Sequence, residues 1–155
     1  MNLKLDSKKA FISGSTQGIG FAIARQLLDE GAEVIINGRE AKKLNSAVEK
    51  LNQEYPQSRV SGIAADFSDT EEVNALLNEL GDIDILVNNV GIFELKAFGE
   101  IADSDWMNMF NINVMSSVRL SRYLLPGMFE RNFGRIIFIA SESGVNVPAN
   151  MIHYG

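Results

Sequence analysis

A chain of 155 residues, 46% hydrophobic and 22% charged, suits one ordinary globular domain and excludes disordered, collagen-like and fibrous readings. The absence of cysteine excludes a disulfide framework and any thiolate metal site, and a net charge of −6 argues against a nucleic-acid or anionic-membrane surface. The first nine residues lack an apolar signal-like stretch, and no window approaches the roughly eighteen uncharged apolar residues of a membrane span, so a cytoplasmic protein is expected.

Short apolar runs alternate with helical periods. Ala10-Phe11-Ile12 is a strand candidate that stops at Ser13-Gly14. Ile19, Ile23 and Leu27, with Ala22 and Ala24 beside them, form a helical face, and Gly31 fits the left-handed position that ends a helix. The β-branched run Val34-Ile35-Ile36 predicts a second strand. Leu44, Val48 and Leu51 mark a second helix, closed by Tyr55-Pro56, and Val60 to Ala65 a third strand. Ser68 with Glu71 three residues on predicts a capping box, opening a helix that turns Val73, Leu76, Leu77 and Leu80 inward. Ile83 to Val87 is a fourth strand. A long helix from about Asp103 to Arg131 aligns Trp106, Phe110, Asn113, Ser117, Leu120 and Leu124 on one face, and Arg135 to Ala140 is a fifth strand. Strands alternating with helices of this length give βαβ units with right-handed crossovers, hence a doubly wound parallel α/β sheet. No repeat or linker divides residues 1–155, which read as one Rossmann-like domain.

The first strand-to-helix turn is Ser13-Gly14-Ser15-Thr16-Gln17-Gly18-Ile19-Gly20. Glycines there allow a tight turn, close approach of backbone to a pyrophosphate, and close packing of helix on strand. The helix start adds unpaired N–H groups and a positive dipole end. The alternative is a glycine-rich turn without a ligand. A Walker loop is excluded, since no Gly-Lys-Ser/Thr follows.

Several spaced motifs together make the chain resemble the short-chain dehydrogenase/reductase family. The Ser13–Gly20 turn is similar to that family's T-G-x-x-x-G-I-G, with Ser for the first Thr. Asn88-Asn89-Val90-Gly91 resembles its N-N-A-G, with Val for Ala. Asp66-Phe67 resembles the pair that contacts adenine, Asn113 the asparagine of the long helix, and Ser141 with Tyr154 thirteen residues later its Ser-to-Tyr pair. The resemblance implies the strand order 3-2-1-4-5 with the C-terminal strands absent. It also implies a cofactor site at Gly14, Ser15, Thr16, Gln17, Gly18, Ile19, Gly20, Arg39, Asp66, Phe67, Asn88, Asn89, Val90 and Gly91, and catalytic roles for Asn113, Ser141 and Tyr154. Each has a plainer alternative. Asn-Asn-x-Gly is ordinary turn chemistry, Asn113 suits a satisfied core amide as well as the water-holding relay the family implies, and Arg39 suits a solvated helix start. Ser143 reads as a loop cap and His153, the single histidine, as a surface residue.

The implied activity is hydride transfer between a nicotinamide and a ketone or secondary alcohol, a 3-oxoacyl thioester, a sugar and a steroid-like ketone all being open. Tyr154 would give or take the proton and Ser141 would orient the oxygen. A free tyrosine has a pKa of about 10, so a base near pH 7 needs roughly three units, about 4 kcal/mol. The family supplies this with a lysine four residues after the tyrosine. The sequence stops at Gly155, before that position, so a natural chain continuing past it is expected, and the 155 residues alone are expected to turn over negligibly. Gly38-Arg39 at the end of the second strand, with no acid there to meet a ribose, favours NADP over NAD. The partners implied are a small carbonyl or alcohol substrate and further copies of the chain, as a homodimer or homotetramer when complete, with no nucleic acid, membrane or metal. Two other classes stay open: a noncatalytic nucleotide-binding or regulatory protein on the same fold, and an S-adenosylmethionine methyltransferase, against which the missing acid counts.

Overall fold

In the computed structural model, residues 3–155 are described, and their short apolar runs become five parallel strands. These are β1 (Lys9–Ile12), β2 (Glu33–Gly38), β3 (Val60–Ala64), β4 (Ile85–Asn88) and β5 (Arg135–Phe138), ordered β3-β2-β1-β4-β5. The expected order holds. Strand side chains alternate between faces, and the register carries that alternation across the sheet. Phe11 lies beside Ile35 and Leu86, and Ile12 beside Ile36 and Val87.

Each face is covered by two helices. One holds Phe11, Ile35 and Leu86 under α3 (Thr70–Leu80) and α5 (Ser116–Glu130), which contribute Val73, Leu76, Leu80, Leu120 and Leu124. The other holds Ala10, Ile12, Val34, Ile36 and Val87 under α1 (Gly18–Asp29) and α2 (Ala41–Glu54), which contribute Ala24, Leu28, Leu44 and Leu51. Continuous apolar character in the central strands follows from this two-sided cover. β5 is an edge, and there Ile137 and Phe138 remain exposed.

Three local expectations need correction. The buried face of α1 is Gly20, Ala24 and Leu28, with Ile23 and Leu27 only partly covered and Ile19 exposed. Gly20 must face inward, because a Cβ there would stand 2.9 Å from both Gly14 O and Ser15 Cα. That requirement turns the helix by one residue. Its other end is as expected: Gly31 has φ +88°, and Gly31 and Ala32 N–H donate to Leu28 and Leu27 carbonyls at 3.0 Å, a Schellman closure.

The cap of α3 is Asp69, not Ser68. Asp69 Oδ1 accepts from Glu71 N at 2.8 Å and Glu72 N at 3.3 Å, while the Ser68 hydroxyl donates to Asp66 Oδ1 at 2.7 Å. Glu72, rather than Glu71, reaches back, accepting from Asp66 N at 2.7 Å.

The long helix is α4 (Asp103–Phe110) joined to α5 through a π-helical turn over Asn111–Met115. The wide turn takes up an extra residue, so the buried stripe runs through Met109, Ile112, Ser116, Leu120 and Leu124, and Trp106 and Phe110 face outward. Among the described residues, no helix is long and apolar enough to cross a membrane and no cluster of His, Asp and Glu could hold a metal.

Asp69→Ala is expected to lower unfolding free energy by about 1 kcal/mol. Urea denaturation measures it, and unchanged stability would remove Asp69 as the cap of α3.

Candidate functional site

Three strand ends meet at the carboxyl edge of the sheet, where β1, β2 and β4 stop. Ser13, fully buried, joins two of them. Its Oγ accepts from Asn89 N and Val90 N at 3.0 Å each, and Ser13 N donates to Val87 O at 3.1 Å. The Asn89 amide donates to Ser13 O at 2.9 Å and Gly14 O at 2.8 Å, bracing the glycine turn from the β4 side. Asn37, the next-to-last residue of β2, braces it from the other side. Its Oδ1 accepts from Gly14 N at 3.0 Å, its Nδ2 donates to Ile63 O at 3.0 Å, and its N–H donates to Ser15 Oγ at 3.0 Å. Ser15 Oγ in turn donates to Ile12 O at 2.6 Å. Asn37 is a site residue that sequence reasoning missed. The signal was a polar side chain closing an otherwise apolar buried strand, which can persist only if its amide is paired.

Along this edge lie two cavities that share Val90, Gly91 and Ile92. One, of about 280 Å³, is lined by Gly14, Thr16, Gln17, Asn37, Gly38, Arg39, Asp66 and Phe67. The Ser68 backbone N–H, 2.8 Å away, holds the Asp66 carboxyl below its ordinary pKa, aided by the Ser68 hydroxyl and the Arg39 charge and opposed by partial burial. The other, of about 450 Å³, is lined by Ile19, Asn89, Phe93, Asn113, Ser141 and Tyr154. A larger depression of about 720 Å³ lies over α1 and α2, sharing Thr16, Gln17 and Gly18 with the turn. It contains neither Ser141 nor Tyr154 and is rimmed by Lys42, Lys43 and Lys50.

Asn113, Ser141 and Tyr154 thus come to one cavity from the π turn, the segment after β5, and the last residues of the chain. The Asn113 amide is occupied: Oδ1 accepts from Ile92 N at 2.7 Å, and Nδ2 donates to Ile92 O at 2.9 Å and toward Met109 Sδ at 3.1 Å. Its side chain therefore clamps the loop after β4. Ser141 is itself the cap of a short 3₁₀ turn, Glu142–Gly144, its Oγ accepting from Ser143 N at 3.2 Å, so the capping role expected of the Ser143 side chain falls to Ser141. The Tyr154 ring meets Phe93 at a centroid distance of 6.2 Å. Asn88 ends β4, and neither its Oδ1 nor its Nδ2 has a hydrogen-bond partner among the described residues. His153 is not a surface residue. It is buried, edge-on to Trp106 at 5.8 Å, because the final turn folds it beneath the chain.

Known proteins resemble this chain in sequence and in fold. A family model described as short chain dehydrogenase matches residues 8–155. The uncharacterized oxidoreductase YvrD of Bacillus subtilis is 48% identical over 157 residues, spanning 99% of this chain and 59% of that protein. D-beta-hydroxybutyrate dehydrogenase of Cupriavidus necator is 34% identical over 154 residues, spanning 97% and 59%. The crystal structure of L-sorbose reductase from Gluconobacter frateurii, complexed with NADPH and L-sorbose, superposes with a TM-score of 0.93 at 35% identity, covering 99% of this chain and 60% of that one. The chain therefore spans about three-fifths of the length of these relatives.

Gly20→Ala is expected to destabilise by about 1–3 kcal/mol, since the added methyl meets fixed backbone. Urea denaturation that gave parental stability would show that the turn does not need this close approach.

Proposed function

The chain belongs to the short-chain dehydrogenase family, and from that premise we propose that it is the cofactor-binding, phenol-bearing part of an NADP-dependent oxidoreductase that interconverts a ketone and a secondary alcohol. One observation carries the reading: a groove on the carboxyl edge of the sheet has Arg39 and Asp66 at one end and Asn113, Ser141 and Tyr154 at the other. Open α/β sheets bind ligands at this edge.

The residues present fit a dinucleotide. The inward Gly20 and the turn braced by Asn37 and Asn89 leave backbone N–H groups at the start of α1 for a pyrophosphate. Gly14, Thr16, Gln17, Gly18 and Ile19 form the wall of that cradle, Asp66 and Phe67 bound the adenine end, and Asn89 to Gly91 the nicotinamide side. Ser15 and Asn88, expected to touch the cofactor, are instead buried behind the wall, Ser15 with its N–H and hydroxyl spent on Asn37 and Ile12. Arg39 follows the last residue of β2, where an acid would favour NAD, and its guanidinium suits a 2′-phosphate. Lys43 Nζ is engaged by Glu40 at 2.7 Å, and among the described residues Arg39 is the one cation that lines the cavity with Asp66. The NADPH in the similar sorbose reductase structure supports the same preference. When bound, the nicotinamide supplies or accepts the hydride.

The chain's own residues handle the oxygen and its proton. Tyr154 gives its phenolic proton to the carbonyl oxygen on reduction and takes the alcohol proton on oxidation, while the Ser141 hydroxyl orients that oxygen and steadies its charge. Asn113 holds the loop wall at Ile92 from behind. A small carbonyl or alcohol substrate, a cytoplasmic setting, and a homodimer or homotetramer of the complete enzyme complete the proposal. The exposed Met107, Phe110 and Val114 support the assembly.

Arg39→Ala is expected to weaken NADPH binding about tenfold or more and to leave NADH binding nearly unchanged, as measured by fluorescence titration. Equal loss for both would remove the 2′-phosphate role. In the complete reductase, Tyr154→Phe is expected to lower ketone reduction by about 100-fold or more at saturating NADPH. Undiminished kcat would remove Tyr154 as the proton donor.

A further inference from the structure

Between residues 141 and 155, one side chain is buried, and it is His153. The rest of the segment lies at or near the surface. The ring stands edge-on to Trp106 of α4 at 5.8 Å, and Nε2 lies 3.6 Å from Glu94 Oε2. Neither ring nitrogen has a hydrogen-bond partner among the described residues. An apolar side chain would fill the same space without leaving buried nitrogens short of partners, so packing alone does not account for an imidazole here. Glu94 is half-exposed, and its carboxylate stands just outside hydrogen-bond range of the ring.

The contacts around His153 run in sequence. Phe93 meets Tyr154, Glu94 meets His153, and Lys96 N donates to Asn150 O at 2.8 Å. Residues 93–96 thus lie antiparallel against residues 150–154. The loop is itself pinned from behind, at Ile92 by Asn113 and at Lys96 by Asp105, whose Oδ2 also accepts from Ala102 N at 2.9 Å. The charged groups about the ring are Glu94 and Lys96 on the loop and Asp105 on α4. Lys96 is shared between the two carboxylates, and its hydrogen bond to Asp105 raises its pKa.

We propose that His153 is a positioning residue for Tyr154: seated between Trp106 and Glu94, it clips the 92–97 loop onto the final turn. It thereby sets where the phenol stands in the cavity shared with Ser141 and Asn113. The catalytic consequence rests on the reading of Tyr154 as proton donor, whereas the clip does not. A donor on residue 153 is what the clip requires, so glutamine should serve where alanine does not.

The test compares His153→Ala, His153→Gln and Glu94→Ala, the last at a half-exposed position outside the core. In the isotope-labelled 155-residue chain, NOEs between the Phe93 and Tyr154 rings should be lost in H153A, weakened in E94A and retained in H153Q, with amide protection of β1 and β4 unchanged. Should H153A fail to fold, E94A decides. In the complete reductase, kcat for ketone reduction should fall about tenfold or more in H153A while the Kd for NADPH holds, and H153Q should restore most of it. Full Phe93–Tyr154 NOEs in E94A, or in a folded H153A, overturn the clip, as does an equal loss in H153Q and H153A. A parental reductase that reduces no ketone defeats the reading of Tyr154, and the NOEs still decide the clip.

Discussion

The constraint on which the rest depends is the close approach of the first turn to the end of β4. Ser13 is buried at the junction, and its hydroxyl receives two consecutive N–H groups, from Asn89 and Val90, that have no strand partner of their own. Asn89 returns two hydrogen bonds to the carbonyls of Ser13 and Gly14. Unpaired, each of these buried groups would cost about 1–3 kcal/mol. Paired, they lock the chain path where a turn of any other shape would leave them stranded. Asn37 does the same from β2, so the turn is held on both sides by side-chain amides. The absence of a side chain on Gly20 then lets α1 begin directly over this lattice, its start facing the groove.

The second wall of the groove is built differently. The loop after β4 has no sheet to hold it, and side chains do that work. Asn113, lifted out of regular helical phase by the π turn, brackets Ile92 through both backbone groups, and Asp105 holds Lys96. Tyr154 leans on this loop through Phe93. A rigid, lattice-bound edge thus faces a wall whose position depends on a few long-range polar contacts. Such an arrangement fits a binding cradle on one side and chemistry on the other.

Much of this was legible in the sequence, for physical reasons that also explain the misses. Strand positions are readable because two-sided burial writes itself as β-branched runs such as Val34-Ile35-Ile36, whereas the 3-2-1-4-5 order is implied by the family resemblance and not by the apolar pattern. Spaced motifs placed Asn113, Ser141 and Tyr154 at one cavity although they are far apart along the chain. The face of α1 does not follow hydrophobicity, which ranks isoleucine above glycine, because steric contact with Gly14 and Ser15 puts Gly20 inside. The face of α4 departs from a 3.6-residue period because of the π turn. Ser68 and Asp69 are both good caps, and only the competing bond to Asp66 separates them. Nothing local marks a single histidine such as His153 as buried. Its surroundings come from Glu94 and Trp106, some fifty to sixty residues earlier.

In the proposed function, the carboxyl edge of this sheet receives a nicotinamide dinucleotide along one groove. A ¹⁵N–¹H correlation spectrum of the chain titrated with NADPH tests it residue by residue. The largest saturable shifts should fall at residues 14–20, 37–39, 66–67 and 88–92, running from the Arg39 end toward Tyr154, with little change over β5 and the outer faces of α2 and α3. Shifts centred on the lysine-rimmed depression over α2, or an absence of saturable shifts along the groove, would contradict it.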